Sequence, residues 1–166
     1  MIRLILAIAA LVLVGCSAVP TLSTHLQTSR SEFGASGGTF SASYHGRFSS
    51  SPCSAGHNGT FSFGGTGYGN FIGSSSETGS LTRPFRNGQC RFTFKGPATL
   101  KSTLHTRNAI TSSLSETGYG PCVIPPTYAV TGGTGKFAHA SGSGKVVFTC
   151  HLDGTYTDQW SGTLSF

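Results

Sequence analysis

Charged residues are scarce in this chain, and acidic residues are the scarcest. Asp and Glu together number 5, Lys and Arg number 11, and charged residues make up only 10% of the 166 positions. A disordered linker could share that composition, but the chain also holds 12 Phe, 5 Tyr and 1 Trp, and disordered segments are poor in aromatic residues. We therefore expect a folded chain with about one ordinary domain.

Several motifs of metal and nucleotide chemistry are also missing. The six histidines have no metal-ligand spacing and the chain has no Cys-x-x-Cys pair, so we expect no zinc site and no cofactor. The glycine-rich segment 130–137 fails the phosphate-loop pattern, because Val130 stands where Gly is required and Phe137 where Ser or Thr is required. None of the many serines lies in a nucleophile elbow.

The first 16 residues read as a signal peptide. Arg3 precedes an apolar run from Leu4 to Val14, which is too short to cross a bilayer as a helix, since that needs about 20 residues. The run continues into Gly15-Cys16, and residues 13–16 resemble the lipobox of bacterial lipoproteins. In that family the cysteine is acylated and becomes the new N-terminus, which predicts lipidation of Cys16 and a membrane anchor.

The alternative to lipidation is simple secretion after cleavage at Ala18. Ser17 follows the cysteine where an inner-membrane retention signal would usually have Asp. By analogy with the lipoproteins, a Gram-negative host would therefore place the protein in its outer membrane. The predicted location is the cell envelope.

Alternating patterns mark β-strands in the rest of the chain. Residues 17–38 are polar and aperiodic, as in a flexible tether, and strand patterns begin near residue 39. In the last segment, Ser and Thr residues share one face and mainly apolar residues the other: Tyr156, Asp158, Trp160, Leu164 and Phe166. Period two with one apolar face predicts antiparallel strands over a single core. We therefore expect an all-β domain over residues 39–166.

Two short motifs recur in this domain. Gly-Thr-Phe-Ser at 38–41 and 59–62, with Gly-Thr-Tyr-Thr at 154–157, predicts the starts of strands. Ser-Glu-Thr-Gly at 76–79 and 115–118 predicts turns.

The Asp153-Gly154 turn predicts a strand register. A two-residue turn would put Leu152 and the apolar residues before it opposite the Thr and Ser face of the last strand. A three-residue loop over 152–154, with Gly154 in the left-handed region, restores matching faces. The predicted cross-strand pairs are then Val146–Trp160, Phe148–Asp158 and Cys150–Tyr156.

One segment resembles a known family. Residues 132–137 read Gly-Gly-Thr-Gly-Lys-Phe and are followed by Ala140 and Gly142, which resembles the signature of dirigent proteins. Ser141 stands where the dirigent signature has Arg. The allene oxide cyclase-like barrels, which include many bacterial secreted proteins, are similar. The resemblance implies an antiparallel β-barrel of about eight strands.

Cys16 apart, four cysteines remain, at 53, 90, 122 and 150. An even number in an exported protein suggests two disulfides, and four cysteines allow three pairings. Strands at 127–131 and 145–150 can pair around the glycine-rich loop, which favours Cys122–Cys150 together with Cys53–Cys90. The alternative is that the thiols are free and buried.

Asp158 is the one carboxylate predicted on an apolar face. The others lie in the tether, in predicted turns or in a hairpin turn: Glu32, Glu77, Glu116 and Asp153. A buried carboxylate is costly unless it is hydrogen-bonded or protonated, so Asp158 is a weak candidate for a catalytic acid. The alternative, which the sequence favours, is a structural residue bonded near a barrel mouth.

The basic residues are concentrated between 83 and 107, where no acidic residue occurs. Taking Phe92, Phe94, Leu100 and Leu104 as inward puts the cations on outward faces, on two strands joined near Gly96-Pro97. The predicted binding residues are Arg91, Lys95, Lys101 and Arg107, with Arg83 and Arg86 in the preceding loop. An anionic partner follows, either a lipid or a glycan of the envelope, although a solvated surface is an equal alternative. Nucleic acid is disfavoured because no aromatic residues interleave these outward charges.

These observations favour a lipid-anchored β-barrel with a binding or structural role. The alternative is an isomerase or cyclase acting on a small hydrophobic substrate inside the barrel, as the family resemblance would imply. Fold alone assigns no chemistry, and the size of the barrel cavity separates the two functions.

Overall fold

A computed structural model describes residues 36–166, so the predicted leader, Cys16 and nearly all of the predicted tether lie outside the described residues. The described part contains ten strands and one short 3-10 turn at Gly135–Phe137. Their bounds are β1 Gly37–Ser51, β2 Gly59–Gly69, β3 Gly73–Arg83, β4 Phe85–Arg86, β5 Gln89–Cys90, β6 Thr93–Ser102, β7 Ala109–Thr117, β8 Thr127–Thr134, β9 Ser141–Cys150 and β10 Thr155–Ser165. Residues 36–166 include no helix of the length and apolarity needed to span a membrane.

Eight of these strands close an antiparallel barrel, in the order β1-β10-β9-β8-β7-β6-β3-β2. The remaining two strands, β4 and β5, form a small hairpin between β3 and β6. Pairing of the first strand with the last closes the barrel, for example at Ala42 opposite Trp160. Closure satisfies the backbone hydrogen bonds that an open sheet would leave at its edges. The predicted all-β fold and eight-stranded antiparallel barrel are confirmed.

The strands follow the two-residue period of the sequence. In β1, Phe40, Ala42 and Tyr44 are buried, whereas Ser41 and Ser43 between them are exposed. Burying large apolar side chains of this kind contributes about 1.5–3 kcal/mol for each one. The barrel is thus held mainly by the inward half of each strand.

The predicted register of the last hairpin is also confirmed. Val146, Phe148 and Cys150 of β9 lie opposite Trp160, Asp158 and Tyr156 of β10. Gly154 adopts a φ of +79°, in the left-handed region that favours glycine at this loop position. The three Gly-Thr motifs lie at or near the starts of β1, β2 and β10, as predicted.

Three sequence-based expectations about local structure are wrong. Both Ser-Glu-Thr-Gly segments are largely strand, the first within β3 and the second at the end of β7. Gly96 and Pro97 lie inside one continuous strand, β6, so the basic residues do not flank a turn there. Phe92 and Leu104 are 63% and 77% exposed rather than inward, because β6 begins after Phe92 and ends before Leu104.

The barrel has two distinct ends. The end that we call the disulfide end carries the loops at 52–58, 84–92, 118–126 and 151–154, together with both disulfides. The opposite end, here the terminal end, carries Ser36, Phe166 and the connections at 70–72, 103–108 and 135–140.

Aromatic side chains fill the barrel in two layers. Near the disulfide end, Phe61, Phe63 and Phe148 pack with ring centroids 5.1–6.0 Å apart. Toward the terminal end, the buried ring of Phe137 packs against Phe166 at 4.8 Å. Between these layers lies a group of polar side chains.

Candidate functional site

The polar layer inside the barrel is built around two carboxyl groups. Asp158 projects from β10 and Glu77 from β3, and each residue is only 1% exposed. The inward position predicted for Asp158 is confirmed. The turn predicted at Glu77 is wrong, because residue 77 is an inward position of β3.

Aromatic donors surround the two carboxyl groups. The Trp160 indole N–H donates to Glu77 Oε2 at 3.2 Å and to Asp158 Oδ2 at 3.1 Å. The Tyr156 hydroxyl donates to Glu77 Oε1, and the backbone N–H of Tyr44 donates to Asp158 Oδ1 at 3.2 Å. These bonds satisfy polar groups that would otherwise be costly to bury.

The environment sets the protonation of the pair. Burial is the main reason that the pKa of Glu77 is raised and that the pKa of Asp158 is raised to about 9. The adjacent charge of Glu77 raises the pKa of Asp158 further, and a hydrogen bond between the carboxyls lowers that of Glu77. With a pKa of about 9, Asp158 is therefore protonated at neutral pH.

Such a pair could exchange a proton with a substrate, but the surrounding space is filled. Tyr44, Tyr156 and Trp160 are each 1–2% exposed, and the Tyr44 hydroxyl lies 2.8 Å from the Ser75 hydroxyl. Burial raises the pKa values of both tyrosines, so they remain neutral donors. The geometry therefore supports a structural network, and the catalytic role of Asp158 stays a prediction.

The disulfide end is the second candidate site, and its loops are covalently fixed. Cys53–Cys90 joins the loop at 52–58 to the β4–β5 hairpin, and Cys122–Cys150 joins the loop at 118–126 to the end of β9. Both pairings are the predicted ones. The side chain of Asn58 adds a further link, because its oxygen accepts a hydrogen bond from the Phe85 N–H at 2.9 Å.

A cationic depression of about 510 Å³ opens beside the β4–β5 hairpin. Its described lining contains no acidic residue and consists of Asn58, Thr82, Pro84, Arg86, Arg91, Thr93 and Lys95. Arg86, Arg91 and Lys95 are exposed, so their charged groups reach solvent. Three cations with nearby hydroxyl and amide groups form a surface suited to an anion.

An apolar depression of about 280 Å³ lies at the same end, under the loop at 118–126. Phe48, Phe61 and Phe94 line it from the barrel, and Tyr119 and Val123 line it from the loop. Phe94 of this depression lies between Thr93 and Lys95 of the cationic one. Phe94 faces into the barrel and its neighbour Lys95 faces solvent, so the two depressions lie on opposite sides of the same part of the barrel wall.

Glu116 lies next to Phe94 of the apolar depression. The residue is 3% exposed and pairs with Phe94 across β6 and β7, so it is inward, not in a turn as predicted. Its carboxyl oxygens have no hydrogen-bond partner among residues 36–166. Burial raises the pKa of Glu116, against the effect of the Gly120 backbone and the Arg83 guanidinium.

The predicted basic residues divide between the two ends of the barrel. Arg91 and Lys95 lie at the disulfide end, whereas Lys101 lies near the terminal end and Arg107 in its loop at 103–108. All four are exposed, Lys95 and Lys101 through the alternation of β6 and Arg91 and Arg107 because they lie outside the strands. Lys95 and Lys101 are about 20 Å apart along one strand at the usual rise per residue. The four residues therefore do not form one compact patch.

The inward position of Glu116 could have been predicted from the sequence, whereas that of Glu77 is harder to recognise. Glu116 lies two residues after Leu114 and six after Ile110, both buried, so a period of two would have placed its carboxylate inside. Glu77 lies four residues before the buried Leu81, but the intervening inward position is Gly79, which hides the pattern.

In residues 36–166 no group of three or more His, Cys, Asp and Glu residues is arranged to hold a metal ion. Neither a family model, nor a curated protein, nor a solved structure matches this chain.

Proposed function

We propose that this protein is an envelope-anchored binding module that holds an anionic partner in the cationic depression at its disulfide end. The observation that carries this proposal is the convergence of Arg86, Arg91 and Lys95 on one depression without an acidic residue in its described lining. The Leu-Val-Gly-Cys sequence at 13–16 supports the anchor.

The loops hold these cations in place before a partner arrives. Arg86 lies in the β4–β5 hairpin, which Cys53–Cys90 fixes to a neighbouring loop. The Arg83 side chain donates to the backbone carbonyl of Arg91 across the base of that hairpin. Less conformational freedom is then lost when an anion binds.

An isomerase or cyclase of the allene oxide cyclase-like kind is the alternative function. Its chemistry would use Asp158 and Glu77, which are both 1% exposed inside the barrel. A substrate would have to displace core aromatic side chains to reach them. That packing is our reason for placing the ligand at the disulfide end.

Charge reversal tests the proposal. Changing Arg86, Arg91 and Lys95 to Glu should weaken binding of dextran sulfate by about tenfold or more at low salt, because complementary charge becomes repulsive. The measurement is a titration of the full-length protein in non-ionic detergent. Binding by the wild type should also weaken as ionic strength rises, since exposed charges are screened over about 8–10 Å.

The matched control carries the same change of charge elsewhere. Lys101, Arg107 and Lys145 are exposed and lie outside the cationic depression, so their replacement by Glu should leave most of the binding intact. Equal losses in the two triple variants would mean that net charge alone attracts the polymer. Equal retention in both would remove the cationic depression as a binding site.

A further inference from the structure

The exposed apolar side chains of the barrel are concentrated at its disulfide end. Seven large hydrophobic residues in the described part are exposed, and four of them lie in loops at this end: Phe92, Tyr119, Val123 and Leu152. Each of the four is more than 60% exposed. Clustered exposed apolar residues mark an interaction surface more often than scattered ones do.

Three separate loops present these side chains, and each loop is fixed at its base. Phe92 follows the hairpin that Cys53–Cys90 fixes, whereas Tyr119 and Val123 flank Cys122 of the other disulfide. Leu152 is in the tight β9–β10 loop next to Cys150. We call these four residues the apolar tips.

Cationic groups lie beside the apolar tips. The Arg83 guanidinium lies 5.4 Å from the centre of the Phe92 ring, and Arg91 precedes Phe92 in the chain. The nearby acidic residues are Glu116, which is buried, and Asp153, whose carboxylate accepts hydrogen bonds from Thr155. Apolar and aromatic side chains next to Arg and Lys are typical of protein surfaces that bind anionic bilayers.

We infer that the disulfide end docks onto an anionic lipid bilayer, with the apolar tips inserted among the lipids and the cationic depression against the headgroups. This inference rests on the proposed function and names its anionic partner. A hydrophilic glycan would leave the four tips in water, whereas a bilayer buries them, at about 25 cal/mol for each Å² of apolar surface.

Docking and simple anchoring place opposite ends of the barrel nearest to the membrane. The tether joins the barrel at the terminal end, so an anchored barrel that merely hangs from its lipid has Leu104 nearer the membrane than Leu152. Docking reverses that order. The 20 residues from 17 to 36 extend at most about 70 Å. A strand of 15 residues tilted in a barrel spans only about 40 Å, so the disulfide end can reach the anchoring bilayer.

The test compares tryptophan at two matched leucine positions. Leu152→Trp and Leu104→Trp place a probe at the two ends of the full-length lipoprotein, reconstituted into vesicles with brominated lipids that quench tryptophan on contact. In vesicles of phosphatidylglycerol and phosphatidylcholine, quenching should be several-fold greater at 152 than at 104. The buried Trp160 supplies a constant background.

Two further measurements test whether docking needs anionic lipid and whether it needs the apolar side chains. With phosphatidylcholine alone, the quenching at 152 should disappear. Adding Val123→Asp to Leu152→Trp should reduce it strongly, whereas Val147→Asp, which alters an exposed residue on the outer wall of β9, should not. Val123→Asp and Val147→Asp are also made without Leu152→Trp, where Trp160 is the one tryptophan of the chain, and unchanged emission then shows that the barrel is folded.

The outcomes separate the docking inference from the proposed function. Greater quenching at 104 than at 152, or equal quenching in both lipid compositions, overturns docking onto anionic lipid. If the wild type nevertheless binds dextran sulfate through Arg86, Arg91 and Lys95, the anion site stands and its partner is a glycan or another soluble anion. If it shows neither quenching at 152 nor polymer binding, both proposals are overturned.

Discussion

Asp158 and Glu77 are both shielded from water inside the barrel, and burial raises the pKa of each carboxyl group. For Asp158 the pKa rises from 3.8 to about 9 on folding. Between those values the folded protein binds a proton that the unfolded chain releases. The contribution of this group to the free energy of unfolding is therefore greatest below about pH 4 and is lost as the pH rises to about 9.

Asp158→Asn should remove this pH dependence while keeping a polar group for the hydrogen bonds. We expect the urea midpoint of the wild type to fall between about pH 5 and about pH 9, and that of Asp158→Asn to change less. Asp153→Asn is the control, because Asp153 is exposed and hydrogen bonds from Thr155 lower its pKa. Parallel profiles for the wild type and Asp158→Asn would contradict the protonation that we assign.

At the residue scale, the sequence predicts the inward position of Asp158 but not that of Glu77, and the difference lies in their neighbours. Asp158 alternates with large apolar residues, Tyr156 and Trp160, which define the buried face of β10. Glu77 has Ser75 and Gly79 as its inward neighbours on β3. The Phe63 ring of the neighbouring strand β2 fills the space beside Gly79. A Cβ at residue 79 would lie only 2.2 Å from that ring. Such compensation across strands is not visible in the sequence of one strand.

Among the elements, the loop at 118–126 is held to the barrel by a covalent link. It carries Tyr119 and Val123, and Cys122–Cys150 fixes it to β9 across 28 positions of sequence. Replacing both cysteines with Ser should lower the free energy of unfolding by about 3–4 kcal/mol, because the unfolded chain regains the freedom of the open loop. Denaturant titration measures that loss.

Reductant provides the control for this prediction. It should destabilise the wild type more than the variant without Cys122 and Cys150, which retains only Cys53–Cys90. Peptide mapping of the unreduced protein should recover the two linked pairs. Four free thiols, or equal stability of the variant and the wild type, would contradict the structural role of this bridge.

Two hairpins at the disulfide end differ in how well the sequence predicts them. The β9–β10 hairpin was predictable because its strands are long and their apolar faces match only with a three-residue loop. The β4–β5 hairpin has strands of two residues, too short for any alternation. Its Asn87-Gly88 turn, with φ of 53° and 79°, was the available signal. The prediction that Phe92 lies in a strand did not use this turn, and β6 begins one residue after Phe92.

For the whole molecule, the predicted anchor has a direct test. Cys16→Ser should release the protein from the membrane fraction or leave an unprocessed precursor, because the thiol carries the acyl chains in bacterial lipoproteins. Fractionation of host cells with detection of the wild type and the variant measures this. Identical processing and membrane retention of both forms would refute lipidation at Cys16.

The overall fold was more predictable than the sites at its ends. Strand alternation and the resemblance at 132–142 were enough to predict an antiparallel barrel. The disulfide end joins residues from four loops that are up to about a hundred positions apart, such as Cys53 and Leu152. Which loop residues meet depends on closure of the barrel and on the disulfides. The cations were consequently predicted as one patch, although they lie at two ends.

Ser36 and Phe166 exchange two backbone hydrogen bonds, of 2.8 and 2.7 Å. The two ends of the barrel chain are therefore adjacent. The packing of the strands does not depend on where along the chain the N- and C-termini lie. A short linker between these residues, with new ends opened in the loop at 52–58, would give a circular permutant with the same core. The segment that carries Cys16 would then leave from the disulfide end, and a lipid on Cys16 would hold that end, rather than the terminal end, nearest to the bilayer.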